Sequence, residues 1–289
     1  MAPTPPPKTP ASPEGDKLKI YFLPNLFTAG NLFCGFVALT KIVEADLTPD
    51  AAGFVNWMPI KFALAAILLA CIFDLFDGRV ARMGGHESPF GREFDSLADL
   101  ISFGVAPAFL VHRVVLHDVF SDDYAELGWF IASIYLICGA FRLARFNCLS
   151  AMNLPGAGKD FLGFPIPSAA GLVASLTLFI IKLNEKEKNL GHWGYLLPVV
   201  LVFLSAMMVS EVKYPSFKNL DFRAKRSFAK MIVIVLSIGF FFILWEKVLP
   251  LLAPVLFSGY LLYGFVRPYI SRAWRHEIEE DDDEPEAES

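Results

Sequence analysis

Long apolar windows recur along the chain, each near the ~20 residues that a membrane-spanning helix needs. Eight such spans are predicted, over residues 21–44, 59–82, 92–117, 128–147, 163–183, 193–212, 229–247 and 250–269. Short polar joints separate them, so the pattern describes an all-α polytopic bundle. The third window is the most diluted, because Glu93, Asp95 and Asp99 interrupt its first half. Its second half, ISFGVAPAFLV, is apolar enough to complete a crossing. The joint between the second and third windows holds Gly84, Gly85 and Pro89, residues that turn a chain.

Composition agrees with this layout. The 289 residues are 55% hydrophobic and only 19% charged, and the mean hydropathy is +0.48. The net charge of -5 comes largely from the tail EIEEDDDEPEAES. Residues 273–289 are therefore expected to be a solvated acidic tail, and residues 1–18, rich in Pro, a polar lead-in without the apolar core of a cleavable signal. The four cysteines form no CxxC pair, and the five histidines no HExxH, so packing roles suit the former and no zinc site is expected. Basic residues set the orientation. With the N-terminus in the cytoplasm, only Lys41, Lys61, Arg113, Lys182, Lys186, Lys188 and Lys247 of the 25 Lys and Arg fall on the far side. Both termini are then expected in the cytoplasm. Nothing in this charge pattern calls for a nucleic acid partner.

Against that background, FDLFDGRVARMGGHESPFGREFDSLADL (Phe73–Leu100) stands out. A carboxylate at membrane depth costs about 2.5–3.5 kcal/mol on insertion scales, so four in one hairpin need a reason. Asp74 and Asp77 are three apart on the second helix, and Asp95 and Asp99 four apart on the third. Each pair shares a helix face, and an antiparallel hairpin can aim both at one cleft. Carboxylates so gathered repel unless cations lie between them, and oxygen-only ligands suit Mg²⁺ or Mn²⁺. A pair of such ions clamping a phosphoryl group is the chemistry this arrangement fits. Gly78 and Ala81 would let a ligand approach the backbone, Gly91 would leave room where the helices cross, and Arg82 could pair with a phosphate.

The spacing Asp74-x2-Asp77-Gly78-x2-Ala81-Arg82-x8-Gly91-x3-Asp95-x3-Asp99 resembles the complete signature of the CDP-alcohol phosphotransferases. The stretches PNLFTAGNLFCGF, FDSLADLISFGVAPA, FRLARFN, FLGFPIPSAAG and MVSEVKYPSFK resemble its serine-using branch. The resemblance implies a membrane-embedded transferase of that family's helical fold, with residues 19–228 as catalytic domain and two added helices over 229–272. It implies metal ligation by Asp74, Asp77, Asp95 and Asp99, with Asp99 also the general base. Gly78, Ala81, Arg82 and Gly91 would contact the nucleotide and its phosphates, as would Asn25 and Thr28, whose other role is to start the first helix. Arg142, Arg145, Asn147, Lys213 and Lys218 would meet the acceptor or a lipid phosphate, although the basic ones equally suit positive-inside anchors. The implied partners are CDP-diacylglycerol, L-serine, membrane lipids and a second copy of the chain. The implied location is a bacterial inner or cell membrane, with the site facing the cytoplasm.

Other acceptors remain open on the residues alone: glycerol 3-phosphate would want more basic residues, inositol phosphate likewise, and choline an aromatic cage. A divalent-cation transporter could also use four aspartates, but would not need the surrounding Gly/Ala/Arg pattern. The GxGD element of an intramembrane aspartyl protease is absent.

Overall fold

The computed structural model describes residues 22–51, 55–84, 88–116, 125–152, 160–187, 195–215 and 250–269. Its elements are α1 (Phe22–Glu44), α2 (Met58–Gly84), α3 (Pro89–Leu116), α4 (Ala125–Ala151), β1 (Asp160–Leu162), α5 (Ile166–Glu187), α6 (Leu196–Val209), β2 (Lys213–Pro215) and α7 (Pro250–Tyr269). All of these helices except α6 are long and apolar enough to cross a membrane. The expected span 193–212 is represented by α6, whose 14 residues rise about 21 Å against a hydrocarbon core of about 30 Å. The expected span 229–247 lies outside the described residues, as do the N-terminal lead-in, the acidic tail and Lys218.

Small residues bring the helices together, as bilayer packing requires when lipid is as apolar as the side chains. Ala38 and Ile42 of α1 are buried in one cluster with Ala63, Leu64, Ile67 and Ala70 of α2. Gly35 lets α1 meet α3: a Cβ there would collide with the Ser102 hydroxyl and lie 2.8 Å from the Ser102 Cα. The faces that carry Phe33, Phe36, Phe62 and Leu69 are exposed, as lipid-facing surfaces would be.

The α3 helix starts where its sequence says it should. Ser88 caps it, its hydroxyl accepting from the Gly91 N–H at 3.0 Å, and Pro89 follows at a position where no N–H is needed. Beyond Asp99 the helix widens to π geometry over Leu100–Val105 and again over His112–Leu116. Pro107 supplies a reason for the first widening. It cannot donate to the Phe103 carbonyl one turn back, and the Tyr135 hydroxyl of α4 donates there instead, at 3.1 Å.

Beyond α4 the chain forms an antiparallel two-stranded ribbon, with Phe161 opposite Tyr214. Arg145 holds it to the bundle. Its guanidinium donates to the carbonyls of Leu162 (2.8 Å), Val209 (2.9 Å), Met208 (3.2 Å) and Ser210 (3.1 Å). Gly163 beside it has φ +79, and a Cβ would collide with the Met208 carbonyl oxygen. Arg145→Ala would leave part-buried carbonyls unpaired and is expected to cost about 1–3 kcal/mol, read as a lowered melting temperature in detergent. Arg145→Lys should recover only part of it, since one ammonium cannot replace a planar fork. An unchanged melting temperature for Arg145→Ala would remove the clamp from this account.

The α7 helix seats against this region. Phe257 fills the space left by Gly171 of α5, and the Tyr214 ring lies against Gly264. Phe164, Tyr214 and Tyr260 form a three-ring cluster with centroids 5.2–5.7 Å apart. The Tyr214 hydroxyl donates to the Leu261 carbonyl at 3.3 Å. Burial pushes this phenol up to about 12, so it stays a neutral donor.

Candidate active site

The polar site lies where α1, α2, α3 and α4 meet. Carboxylate oxygens of Asp74, Asp95 and Asp99 lie within 4.8 Å of one another. Asp77, 5% exposed, accepts from the Thr28 hydroxyl at 3.1 Å and meets the Asp95 carboxyl. The two pairs expected from spacing thus do face one cleft, with Asp77 at its α1 edge. Asp95 Oδ1 is buried without a hydrogen-bond partner. Together with the oxygen-only donor set, this orphaned atom fits a hard divalent ion.

Asn31 was not singled out by spacing or charge, yet it is fully buried beside the cluster. Its Nδ2 donates to Asp99 Oδ1 at 3.0 Å, and its backbone carbonyl accepts from the Ser102 hydroxyl at 2.9 Å. The available signal was a polar residue in the apolar run TAGNLFCGF, on one helix face with Thr28 three residues earlier.

The other expected residues divide by position. Gly91 lies on the first turn of α3, where a Cβ would sit 3.4 Å from Asn25 Oδ1 and 3.3 Å from the Ser88 hydroxyl. Asn25 Nδ2 is buried without a partner. Thr28 is engaged with Asp77. Gly78, Ala81 and Arg82 continue α2 past Asp77, and their side chains lie outside what is described. Arg142 of α4 is 7% exposed, within electrostatic reach of Asp99 and Asp74. Arg145 is committed to the ribbon carbonyls described above. Asn147 donates through Nδ2 to the Ser96 hydroxyl at 2.9 Å and to Glu93 Oε2 at 3.4 Å. Lys213 lies on β2, exposed.

Six helices among the described residues, long and apolar enough to cross a membrane and gathered around a buried polar site, make this an integral membrane protein. The chain belongs to the CDP-alcohol phosphatidyltransferase family, whose model matches residues 21–210. A Helicobacter pylori protein named CDP-diacylglycerol–serine O-phosphatidyltransferase is 34% identical over 249 residues, which cover 86% of this chain and 91% of that one. A Bacillus subtilis protein of the same name is 32% identical over 198 residues, covering 68% and 92%. A protein named archaetidylserine synthase, from Methanothermobacter thermautotrophicus, is 32% identical over 197 residues, covering 67% and 69%.

Proposed function

We propose that this enzyme transfers the phosphatidyl group of CDP-diacylglycerol to the hydroxyl of L-serine and releases CMP. The observation that carries the proposal is the convergence of Asp74, Asp95 and Asp99 in a member of a family defined by CDP-linked donors. The relatives above are named for serine, whether their lipid is a diacylglycerol or an archaeal one. The acceptor is thus the feature their names share, and the diacyl donor follows the names of the Helicobacter pylori and Bacillus subtilis relatives.

Asp74, Asp77, Asp95 and Asp99 would hold a pair of Mg²⁺ or Mn²⁺ ions, whose charge would offset that of the donor diphosphate. Asn31 occupies Asp99 Oδ1, which leaves Oδ2 to take the proton from the serine hydroxyl. The serine oxygen attacks the phosphorus that bears the diacylglycerol. The bond from that phosphorus to the bridging oxygen breaks, and CMP leaves with the electron pair. No covalent enzyme intermediate is required. Gly78, Ala81, Arg82, Gly91, Asn25 and Thr28 line the route to the nucleotide in this reading, and Arg142 pairs with the serine carboxylate. Residues 19–228 form the catalytic domain and 229–272 an addition to it. The enzyme works as a homodimer in a bacterial cell membrane, with the site and both termini facing the cytoplasm.

An acceptor screen tests this. Purified enzyme with CDP-diacylglycerol and Mn²⁺ or Mg²⁺ is offered L-serine, glycerol 3-phosphate, inositol phosphate or choline, and CMP release is followed. Release is expected with L-serine. Release with another alcohol and none with serine would overturn the acceptor.

A further inference from the structure

Asn147, Glu93 and Ser96 meet across the α3–α4 contact in an arrangement that a simple helix-to-helix link does not account for. Asn147 Nδ2 donates twice, to Ser96 and to Glu93, and the Ser96 hydroxyl donates onward to the Arg92 carbonyl at 3.1 Å. Asn147 Oδ1 is left buried with no donor. A buried acceptor without a donor costs free energy. An exposed carboxylate, that of Glu93, lies on the other side of the same amide. The constellation therefore offers acceptors and negative charge to something that carries several N–H donors.

Its position says what that is. Glu93, Ser96 and Asp99 follow one another at intervals of three on α3, so Ser96 adjoins both of the others along a ridge inclined to the helix axis. Ser96 lies about 4.5 Å along the axis from Asp99, towards the start of α3. On the facing helix, Arg142 lies five residues from Asn147, about 7.5 Å along its axis, and within electrostatic reach of Asp99. An α-amino acid with a β-hydroxyl presents its ammonium three bonds from its hydroxyl oxygen. Its carboxylate carbon is equally distant, so with that hydroxyl at Asp99 charge would send the ammonium towards Glu93 and Ser96 and the carboxylate towards Arg142.

We infer that Glu93 and Asn147, braced by Ser96, form the binding site for the primary ammonium of the acceptor. The inference rests on the reading of Asp99 and of an amino-acid acceptor given above. It supplies that reading with a basis for specificity. Glycerol 3-phosphate and inositol phosphate bring anions to a carboxylate, and choline brings no N–H donor. Groups at Asp99, Arg142 and the Glu93/Asn147 pair hold three different substituents of one carbon framework, so the site also distinguishes the two hands of serine.

The test compares L-serine with L-glycerate, which has a hydroxyl in place of the ammonium, in wild type, Glu93→Gln and Asn147→Ser. Wild type is expected to prefer L-serine strongly. In Glu93→Gln the KM for L-serine should rise about tenfold or more with kcat much less affected. The preference over glycerate should shrink in parallel, and the KM for CDP-diacylglycerol should hold. Asn147→Ser should move the same quantities the same way, and it decides the matter if Glu93→Gln does not fold. An unchanged KM for L-serine in both variants overturns the inference, as does an equal loss with serine and glycerate. Failure of the parent reading is separately visible. If wild type uses an alcohol with no ammonium and ignores serine, both fall. If it uses a different amino alcohol, the KM comparison made with that acceptor decides the ammonium site alone.

Discussion

Asp99→Asn is expected to abolish phosphatidyl transfer while leaving donor binding largely intact. The substitution keeps shape and polarity: the new amide still presents an oxygen to Asn31 Nδ2, which now donates to Asp99 Oδ1 at 3.0 Å. What disappears is an oxygen able to accept the hydroxyl proton. A positioned base contributes about 10²–10⁴-fold, and a neutral amide also withdraws one negative charge from the cluster, so the loss should sit at or beyond the upper end. CMP release measures turnover, and calorimetric titration with CDP-diacylglycerol measures binding. Because the proton comes from whichever alcohol attacks, the loss should be the same for every acceptor the wild type uses. Near-normal turnover in Asp99→Asn would end the assignment of Asp99 as base.

Removing divalent ions should have an effect of similar size. Exhaustive chelation is expected to stop CMP release, and either Mg²⁺ or Mn²⁺ to restore it. A physical readout accompanies the kinetic one. Carboxylates with oxygens within 4.8 Å of one another repel, and an ion that binds only the folded state relieves this. At a hundredfold excess over its Kd such an ion adds about 2.7 kcal/mol. The melting temperature should therefore rise by several degrees on adding metal to chelated enzyme. Asp95→Ala removes the oxygen that lies buried without a partner and should blunt that rise. Full turnover after chelation, with residual metal shown to be negligible, would refute the metal reading.

Much of this architecture was legible because bilayer crossing leaves a coarse signal. The apolar windows around α1, α2, α4, α5 and α7 fall within a few residues of the helices, since length and hydropathy settle them. The third window was harder because Glu93, Asp95 and Asp99 dilute its first half, and its second half adds an irregularity that hydropathy does not report. Two π segments shift the residues that follow them out of the 3.6-residue phase on which face-reading depends. The cause of the first, a proline whose missing donor is replaced by Tyr135, joins residues far apart in sequence. Asn31 escaped notice likewise, because its partner Asp99 is 68 positions away. Local spacing reveals which side chains share a face but not which helix that face meets. Arg145 shows the converse: as a basic residue near a helix end it read as a phosphate or acceptor ligand, and its engagement with four carbonyls depends on a ribbon no local pattern announces.

The seat of α7 bears on how such a chain can be shortened. The family pattern ends at residue 210, and every aspartate of the cluster precedes it. A chain trimmed to that pattern would keep its chemistry in sequence but lose Phe257, which fills the Gly171 notch, and both Tyr214 and Tyr260, which pack on the Phe164 ring. The length of chain that is inherited as a motif and the length that must fold as one body are different here, and the second extends to the far end of the last described helix.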